Sequence, residues 1–187
     1  MTTTTWHFDT THSSIAFSVR HLLVAKVRGR FQTWNGALQL DEKDLTKSSV
    51  AITIDASSVD TNEAKRDAHL RSPDFFDVEH HPTVTFVSSR VEVESDERLR
   101  VTGDLTIRGV TQPVTLEVEV GGVMKQDPWG QRRAGFSAHA TIDRKAFGVS
   151  WNQALDHGGL ALGDKVTLAS DVEAVRPADV ASGFAAA

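Results

Sequence analysis

Apolar and polar residues alternate one by one through much of this chain, and that rhythm constrains the fold more than any other feature. In residues 114–120, three valines and a leucine occupy every second position, with threonine and glutamate between them. Such a pattern is typical of a β-strand with one buried and one solvated face. The alternation recurs in seven further segments, at 15–19, 50–54, 84–86, 91–93, 105–107, 136–142 and 166–174. It therefore predicts an all-β chain of about eight strands.

The connections between these segments are short and rich in turn-forming residues. Examples are the stretches 95–97, 108–113 and 125–130, which contain Asp, Gly and Pro. Short connections favour antiparallel neighbours. A meander of half-buried strands must protect its edges, and closure into a barrel removes them. We therefore predict an eight-stranded antiparallel barrel, with a β-sandwich as the alternative architecture.

One segment breaks the alternation and indicates a short helix over about 62–70. Good helix formers follow Thr61 and Asn62, either of which offers an N-cap, and Glu63 lies in the first turn. Pro73 ends the segment, and we place the insertion across one mouth of the barrel. A single domain is predicted over residues 1–176, followed by a flexible tail at 177–187 whose composition is small and aperiodic.

Composition excludes several classes of protein. The 187 residues carry a formal net charge of −5, which opposes binding to nucleic acid. Cysteine is absent, so the chain has neither disulfides nor Cys-ligated metals. The N-terminus lacks the pattern of an export signal and no apolar run is long enough to cross a membrane, so we predict a cytoplasmic protein without a transmembrane segment.

The polar residues contain no recognisable catalytic, metal or cofactor motif. The eight histidines show no His-Glu-x-x-His spacing, and the chain has no Gly-x-Ser-x-Gly elbow and no phosphate-binding loop. Asp77 and Glu79 beside His80 could support acid–base chemistry, although such clusters are more often solvated surface. We therefore predict no catalytic residue, no metal and no cofactor.

The interior of an eight-stranded barrel can be filled by side chains or can hold one ligand. Large aromatic residues favour a substantial core, whereas small inward-facing candidates such as Ala138 and Gly103 would leave room for a hydrocarbon chain. The residues alone leave these two alternatives open. Basic residues at 26–30, 132–133 and 144–145 offer an anionic head group a partner if they meet at a mouth.

Several blocks of the sequence resemble the YceI-like, polyisoprenoid-binding family. They are the opening from Trp6 to His21, Gly29-Arg30-Phe31, the stretches 69–78 and 81–86, Gly103 to Thr111, and Arg144 to Gly148. The resemblance covers about residues 5–176. It implies a bacterial lipocalin-like barrel whose cavity takes an isoprenoid or another long amphiphile, without known catalytic residues or metal. It also makes a homodimer plausible.

Alternation and resemblance together nominate the residues that contact such a ligand. Nine are expected along its chain and three at the mouth: Phe17, Val19, Phe31, Ile52, Phe86, Leu105, Phe136, Ile142 and Phe147, with His21, Arg30 and Trp151.

The leading hypothesis is non-catalytic binding, sequestration or transport of a polyisoprenoid, an isoprenoid quinone or a similar lipid. Two alternatives stay open. One is an enzyme that modifies a lipid or small molecule through Asp77, His80 and His81, and the other is a stress-response scaffold with a filled core.

Overall fold

The structure, a computed structural model, describes residues 3–22, 24–156 and 159–177. Apart from Pro177, the tail predicted at 177–187 lies outside these residues. The strands are β1 Thr4–Phe8, β2 Ser14–His21, β3 Ala25–Phe31, β4 Trp34–Leu40, β5 Ser49–Asp55, β6 Val59–Asp60, β7 Thr83–Ser95, β8 Arg98–Ile107, β9 Val110–Met124, β10 Gln131–Asp143 and β11 Leu162–Pro177. The helix α1 is Ala64–Arg71, and the 3₁₀ turns are Thr10–His12, Leu45–Lys47, Ala56–Ser58 and Arg144–Phe147.

The eleven segments form a closed barrel of eight strands. Segments β1 and β2 both pair with β11 and so act as one long strand. In the same way β4 and β3 pair with β1 and β2, and β5 and β6 pair with β4 and β3, so each of these two pairs also acts as one long strand. Every pairing is antiparallel, and β11 closes the barrel against both β1 and β2. The predicted eight-stranded antiparallel barrel is confirmed, and the sandwich alternative is wrong.

The alternating residues face the barrel axis, as the sequence predicts. Phe17 pairs in register with Leu168 and Val19 with Val166, so the inward positions of β2 and β11 meet side by side. Val84, Phe86, Leu105 and Ile142 are buried in the main apolar cluster. Val93 is an exception: it is exposed, next to an irregularity in the pairing of β7 with β8.

Gly103 illustrates how closely neighbouring strands approach. A Cβ atom at this position would lie 2.4 Å from the carbonyl oxygen of Val87, 2.8 Å from Cα of Ser88 and 2.7 Å from the ring of Phe86. The room that the sequence suggested for a ligand at Gly103 is therefore already occupied by Phe86 and by the backbone of β7.

We expect Gly103→Val to destabilise the barrel by about 1–3 kcal/mol, because two of the three clashing atoms belong to backbone that cannot rotate away. Chemical denaturation measures the loss. Asp104→Val, at the next and exposed position of the same strand, is the matched control and should have little effect. Equal stability of the two variants would contradict the close approach.

One end of the barrel, here called the closed end, is filled. Trp6 is fully buried there among Leu38, Leu40, Ala134 and Ala174. The guanidinium groups of Arg132 and Arg176 lie 5.7 and 5.3 Å from the centroid of the Trp6 ring, and both donate hydrogen bonds to the carboxylate of Glu42. Stacked cations over an indole face are favourable, and Glu42 balances their charge.

The opposite end, here called the mouth, carries the two longest insertions. One insertion joins β6 to β7 and contains α1, and the other joins β10 to β11 across residues 144–161. The predicted helix is confirmed, but its N-cap is Glu63 rather than Thr61 or Asn62. The Glu63 carboxylate accepts hydrogen bonds from the backbone N–H groups of Lys65 and Arg66, which leaves Thr61 for other contacts.

Candidate functional site

The interior of the barrel between the closed end and the mouth holds a cavity of about 380 Å³. This volume lies within the range of small-molecule sites, about 300–1,000 Å³. The lining is overwhelmingly apolar and comes from β2, β3, β5, β7, β8, β9, β10 and β11 together with both mouth insertions. None of the five residues of the closed-end cluster lines it, so the cavity belongs to the mouth side of the barrel.

Aromatic rings from the first insertion form the roof of the cavity. The Phe76 ring packs edge-on against Phe31 with centroids 5.7 Å apart, and Phe75 packs against Trp151 at 5.3 Å. His69 of α1 stands perpendicular to both Phe75 and Trp151, at 5.0 and 4.7 Å. The two insertions are therefore joined through these rings over the cavity.

Buried polar contacts fix the helix in this place. Asp67 accepts hydrogen bonds from the backbone N–H and the hydroxyl of Thr61, at 2.9 and 2.6 Å. Arg66 donates to the hydroxyl oxygen and carbonyl of Thr61, and Arg71 donates to the carbonyls of Ser57 and Val59. The mean hydropathy of α1 is low, so these hydrogen bonds, rather than an apolar helix face, attach it to the barrel.

Arg144 fixes the second insertion through hydrogen bonds to backbone carbonyls. Its buried guanidinium donates to the carbonyls of Gly163, Val149 and Trp151 at 2.8–2.9 Å, and it lies 3.6 Å from a carboxylate oxygen of Asp164. Burial lowers the pKa of Arg144, while Asp164 acts in the opposite direction. A cation that satisfies three carbonyls at once sets the path of the chain beside the cavity.

Polar lining groups are concentrated at the mouth. Thr61 follows β6, and Arg66, His69, Arg144 and Gln153 all come from the two insertions. His21 lies at the end of β2, and two further polar residues, His139 of β10 and Ser170 of β11, line the cavity within the barrel wall. The cavity is thus predominantly apolar along the strands, and most of its polar lining residues lie at the mouth, which suits an elongated molecule with one polar end.

Ten of the twelve predicted contact residues line the cavity. They are Phe17, Val19, His21, Phe31, Ile52, Phe86, Leu105, Ile142, Phe147 and Trp151. The structure contains no bound molecule, so their role as ligand contacts stays a prediction.

The other two predicted residues, Arg30 and Phe136, are not among the lining residues. Arg30 lies on the outer face of β3, exposed, where its guanidinium donates two hydrogen bonds to Asp60. Phe136 packs against both the main apolar cluster and the closed-end cluster, so it lies between them, below the cavity.

Two contributors to the site were missed by the sequence interpretation. Charge patterning suggests for Arg144 only a contact with an anionic head group, and no pattern singles out Phe75 and Phe76. Helical spacing or alternation could not have identified them, because both lie in irregular insertions. Their only sequence signal is membership of the blocks that resemble the family.

The loop histidines considered for catalysis lie away from the cavity lining. His80 is exposed and its Nδ1 lies 2.9 Å from Asp77. The hydrogen bond between them lowers the pKa of Asp77 and raises the pKa of His80. Neither these two residues nor His81 lines the cavity, so the arrangement is that of a surface ion pair.

A second polar cluster lies outside the cavity, where Asp9, His12 and Glu173 bring three ligand atoms within 4.8 Å of one another. Arg133 donates to both Asp9 and Glu173, and also to Asp127. Hydrogen bonds from His12 and Arg133 lower the pKa of Asp9 to about 2. Since the guanidinium of Arg133 already balances the charge of these carboxylates, the cluster is an ionic network that connects β1, β10 and β11.

Among the described residues, no helix is both long and apolar enough to cross a membrane.

Comparison with solved structures places this barrel among known ones. The protein BcnA of Burkholderia cenocepacia superposes with a TM-score of 0.77 at 24% identity, over 89% of this chain and 98% of that chain. A YceI protein of Campylobacter jejuni superposes with a TM-score of 0.72 at 30% identity, over 84% and 89%. A polyisoprenoid binding domain from Saccharophagus degradans gives 0.67 at 14% identity, over 92% and 98%, which shows a shared fold.

Sequence comparison extends the similarity to most of the chain. A UPF0312 protein of Staphylococcus epidermidis is 41% identical over 170 residues, which is 91% of this chain and 96% of the relative. A UPF0312 protein of Pseudomonas aeruginosa is 41% identical over 165 residues, 88% of this chain and 82% of the relative. The model of the YceI-like domain matches residues 6–174, nearly the whole barrel from Trp6 to Ala174. The chain therefore belongs to the YceI-like family.

Proposed function

We propose that this protein binds a long-chain amphiphilic lipid, such as a polyisoprenoid or an isoprenoid quinone, inside the barrel, and sequesters or carries it without chemical change. The observation that carries the proposal is the apolar cavity inside the barrel, with most of its polar lining residues at the mouth. Each buried methylene of a guest contributes about 0.8 kcal/mol, so affinity needs no catalytic or charged group in the interior.

The arrangement of the lining also supports an orientation for the guest. The apolar chain would lie along the barrel, between strands such as β2 and β9, and the polar end would reach His69, Gln153 and Trp151. The solved domain from Saccharophagus degradans is described as polyisoprenoid-binding, and its barrel has the same fold. That description makes polyisoprenoids the first guests to test.

The test is to purify the protein from its native host under mild conditions, extract it with organic solvent and identify lipids by mass spectrometry. We expect about one polyprenyl or quinone molecule per barrel, since the cavity fits a single chain. An empty protein that also refuses added geranylgeraniol would contradict the proposal and favour a scaffold with a filled interior.

Three finer predictions accompany this proposal. Cytoplasmic location is tested by fractionating the native host, and a homodimer is tested by analytical ultracentrifugation.

Non-catalysis is tested with His80→Ala and His81→Ala, because an enzyme acting through this loop would lose turnover while a binding protein would keep full lipid uptake.

A further inference from the structure

The mouth of the barrel carries exposed apolar side chains at its rim. Leu22 and Val24, at the turn between β2 and β3, are 41% and 85% exposed, and Leu160 of the neighbouring insertion is 44% exposed. The two segments touch, because the backbone N–H of Leu22 donates to the carbonyl of Ala161 at 2.8 Å. Three large apolar residues therefore form one rim beside the entrance to the cavity.

Exposed cations lie directly behind this rim. Arg20 and Lys26 face each other in register on the outer side of β2 and β3, and Arg28 lies two residues further along the same face. All three are exposed, and within the described part of the chain they have no ion-pair partner. The next cation on that face, Arg30, is already paired with Asp60.

The neighbouring strands do not cancel this positive charge. Asp164 is engaged by Lys145, and Asp143 lies 3.5 Å from Lys165. Asp156 is the acid of the second insertion nearest in sequence to Leu160, so the surroundings are not purely basic. Three exposed cations on one face of a protein whose formal net charge is −5 nevertheless constitute a marked asymmetry.

We propose that this rim, formed by Leu22, Val24 and Leu160 with Arg20, Lys26 and Arg28, docks the mouth onto an anionic lipid bilayer surface. The apolar tips enter the interface and the cations contact lipid phosphates. Docking would let an apolar guest pass between bilayer and cavity without crossing water. This purpose rests on the proposed function, whereas docking itself requires no guest.

The charge pattern favours a bilayer over a second copy of the chain as the occupant. A symmetric pair of rims would bring six uncompensated cations together, which is unfavourable. In a bilayer, anionic lipid head groups can move to match the spacing of the three cations and so supply the opposite charge. Each cation strengthens binding to such a surface about fivefold, so the three together account for about a hundredfold.

The test measures co-sedimentation of the intact protein with vesicles of about three parts phosphatidylcholine to one part phosphatidylglycerol. We expect binding that weakens with added salt and that is nearly lost with phosphatidylcholine alone. Arg20→Gln/Lys26→Gln/Arg28→Gln should reduce binding about a hundredfold. Leu22→Asn/Val24→Ser should also reduce it, and asparagine tolerates the positive φ of 51° at position 22.

Matched controls come from the opposite end of the barrel. Val123 and Met124 are 49% and 54% exposed there, so Val123→Ser/Met124→Ser removes similar apolar surface far from the mouth. Arg98→Gln/Lys125→Gln removes charge at that end. Controls that bind like the unmodified protein support the proposal.

Three results would overturn it: no binding to the anionic vesicles, equal loss in the rim and control variants, or rim variants that lose self-association instead of vesicle binding. Uptake of geranylgeraniol in vesicle-free solution is measured in parallel with every variant. Normal uptake with failed docking rejects this inference alone, and failed uptake with normal docking rejects the proposed function alone.

Discussion

Replacing Ala138 by tryptophan is expected to weaken lipid binding strongly while leaving the barrel folded. Ala138 lies on β10, opposite Ser170 of β11, and its side chain lines the cavity. An indole at this position would occupy the space that a guest needs. Overpacking costs about 1–3 kcal/mol, which corresponds to a loss of about 5- to 150-fold in affinity. The loss of affinity is measured with geranylgeraniol, whose binding is monitored by quenching of the native fluorescence or with a radiolabel.

The control is Thr141→Trp on the same strand, where the side chain is exposed and an aromatic residue suits a β-strand. It should bind as well as the unmodified protein. The stability of Ala138→Trp separates the two interiors that the sequence left open. In an empty cavity the indole finds room and the midpoint of unfolding stays near its original value. In a filled core it clashes, and stability falls while any surface binding persists.

Loss of Arg144 is expected to cause the largest destabilisation of any single side chain in the site. Arg144→Met keeps the length of the side chain but leaves three carbonyls without their donor and Asp164 without one of its cations. Removing one partner of a buried ionic contact costs about 3–5 kcal/mol. For a domain of this size, about 3 kcal/mol lowers the melting temperature by about 6–12 °C.

The neighbouring Lys145→Met is the matched control. Lys145 is exposed and pairs with the same Asp164 at 2.9 Å, so its loss should cost no more than about 1 kcal/mol. A large loss for Arg144→Met beside a small one for Lys145→Met locates the effect in the buried carbonyl contacts. Equal melting temperatures of the two variants would contradict this prediction. The second insertion would then not depend on Arg144, and its carbonyls would have to accept hydrogen bonds from other donors.

Alternation predicted which face of each strand is buried, but it could not predict the height of a residue along the barrel. Phe136 shows the difference. It shares the inward face of β10 with Ala138 and Ile142, yet it lies below the cavity, against the closed-end cluster. Height depends on the register of β10 against β9 and β11, including an irregularity between Gly135 and Phe136, and register is a tertiary property.

Arg30 is among the residues predicted at the mouth, although strand periodicity argues against this. Val27 and Phe31 line the cavity and Gly29 is buried, so Arg30 has to face outward. The insertions are a different matter. Their side chains are positioned by hydrogen bonds to backbone carbonyls, as at Arg144, and no periodic pattern encodes such contacts.

The closed end makes the barrel a container whose opening lies at the mouth. Trp6 and the two arginines stacked on it fill that side, so a guest of the proposed kind would enter and leave at the mouth. A chain would enter tail first, because most of the polar lining residues that its head group could contact lie at the mouth. The closed end then limits the length of chain that the interior can hold. A guest longer than the interior would leave part of its chain and its head group outside, next to the surface on which the rim is docked.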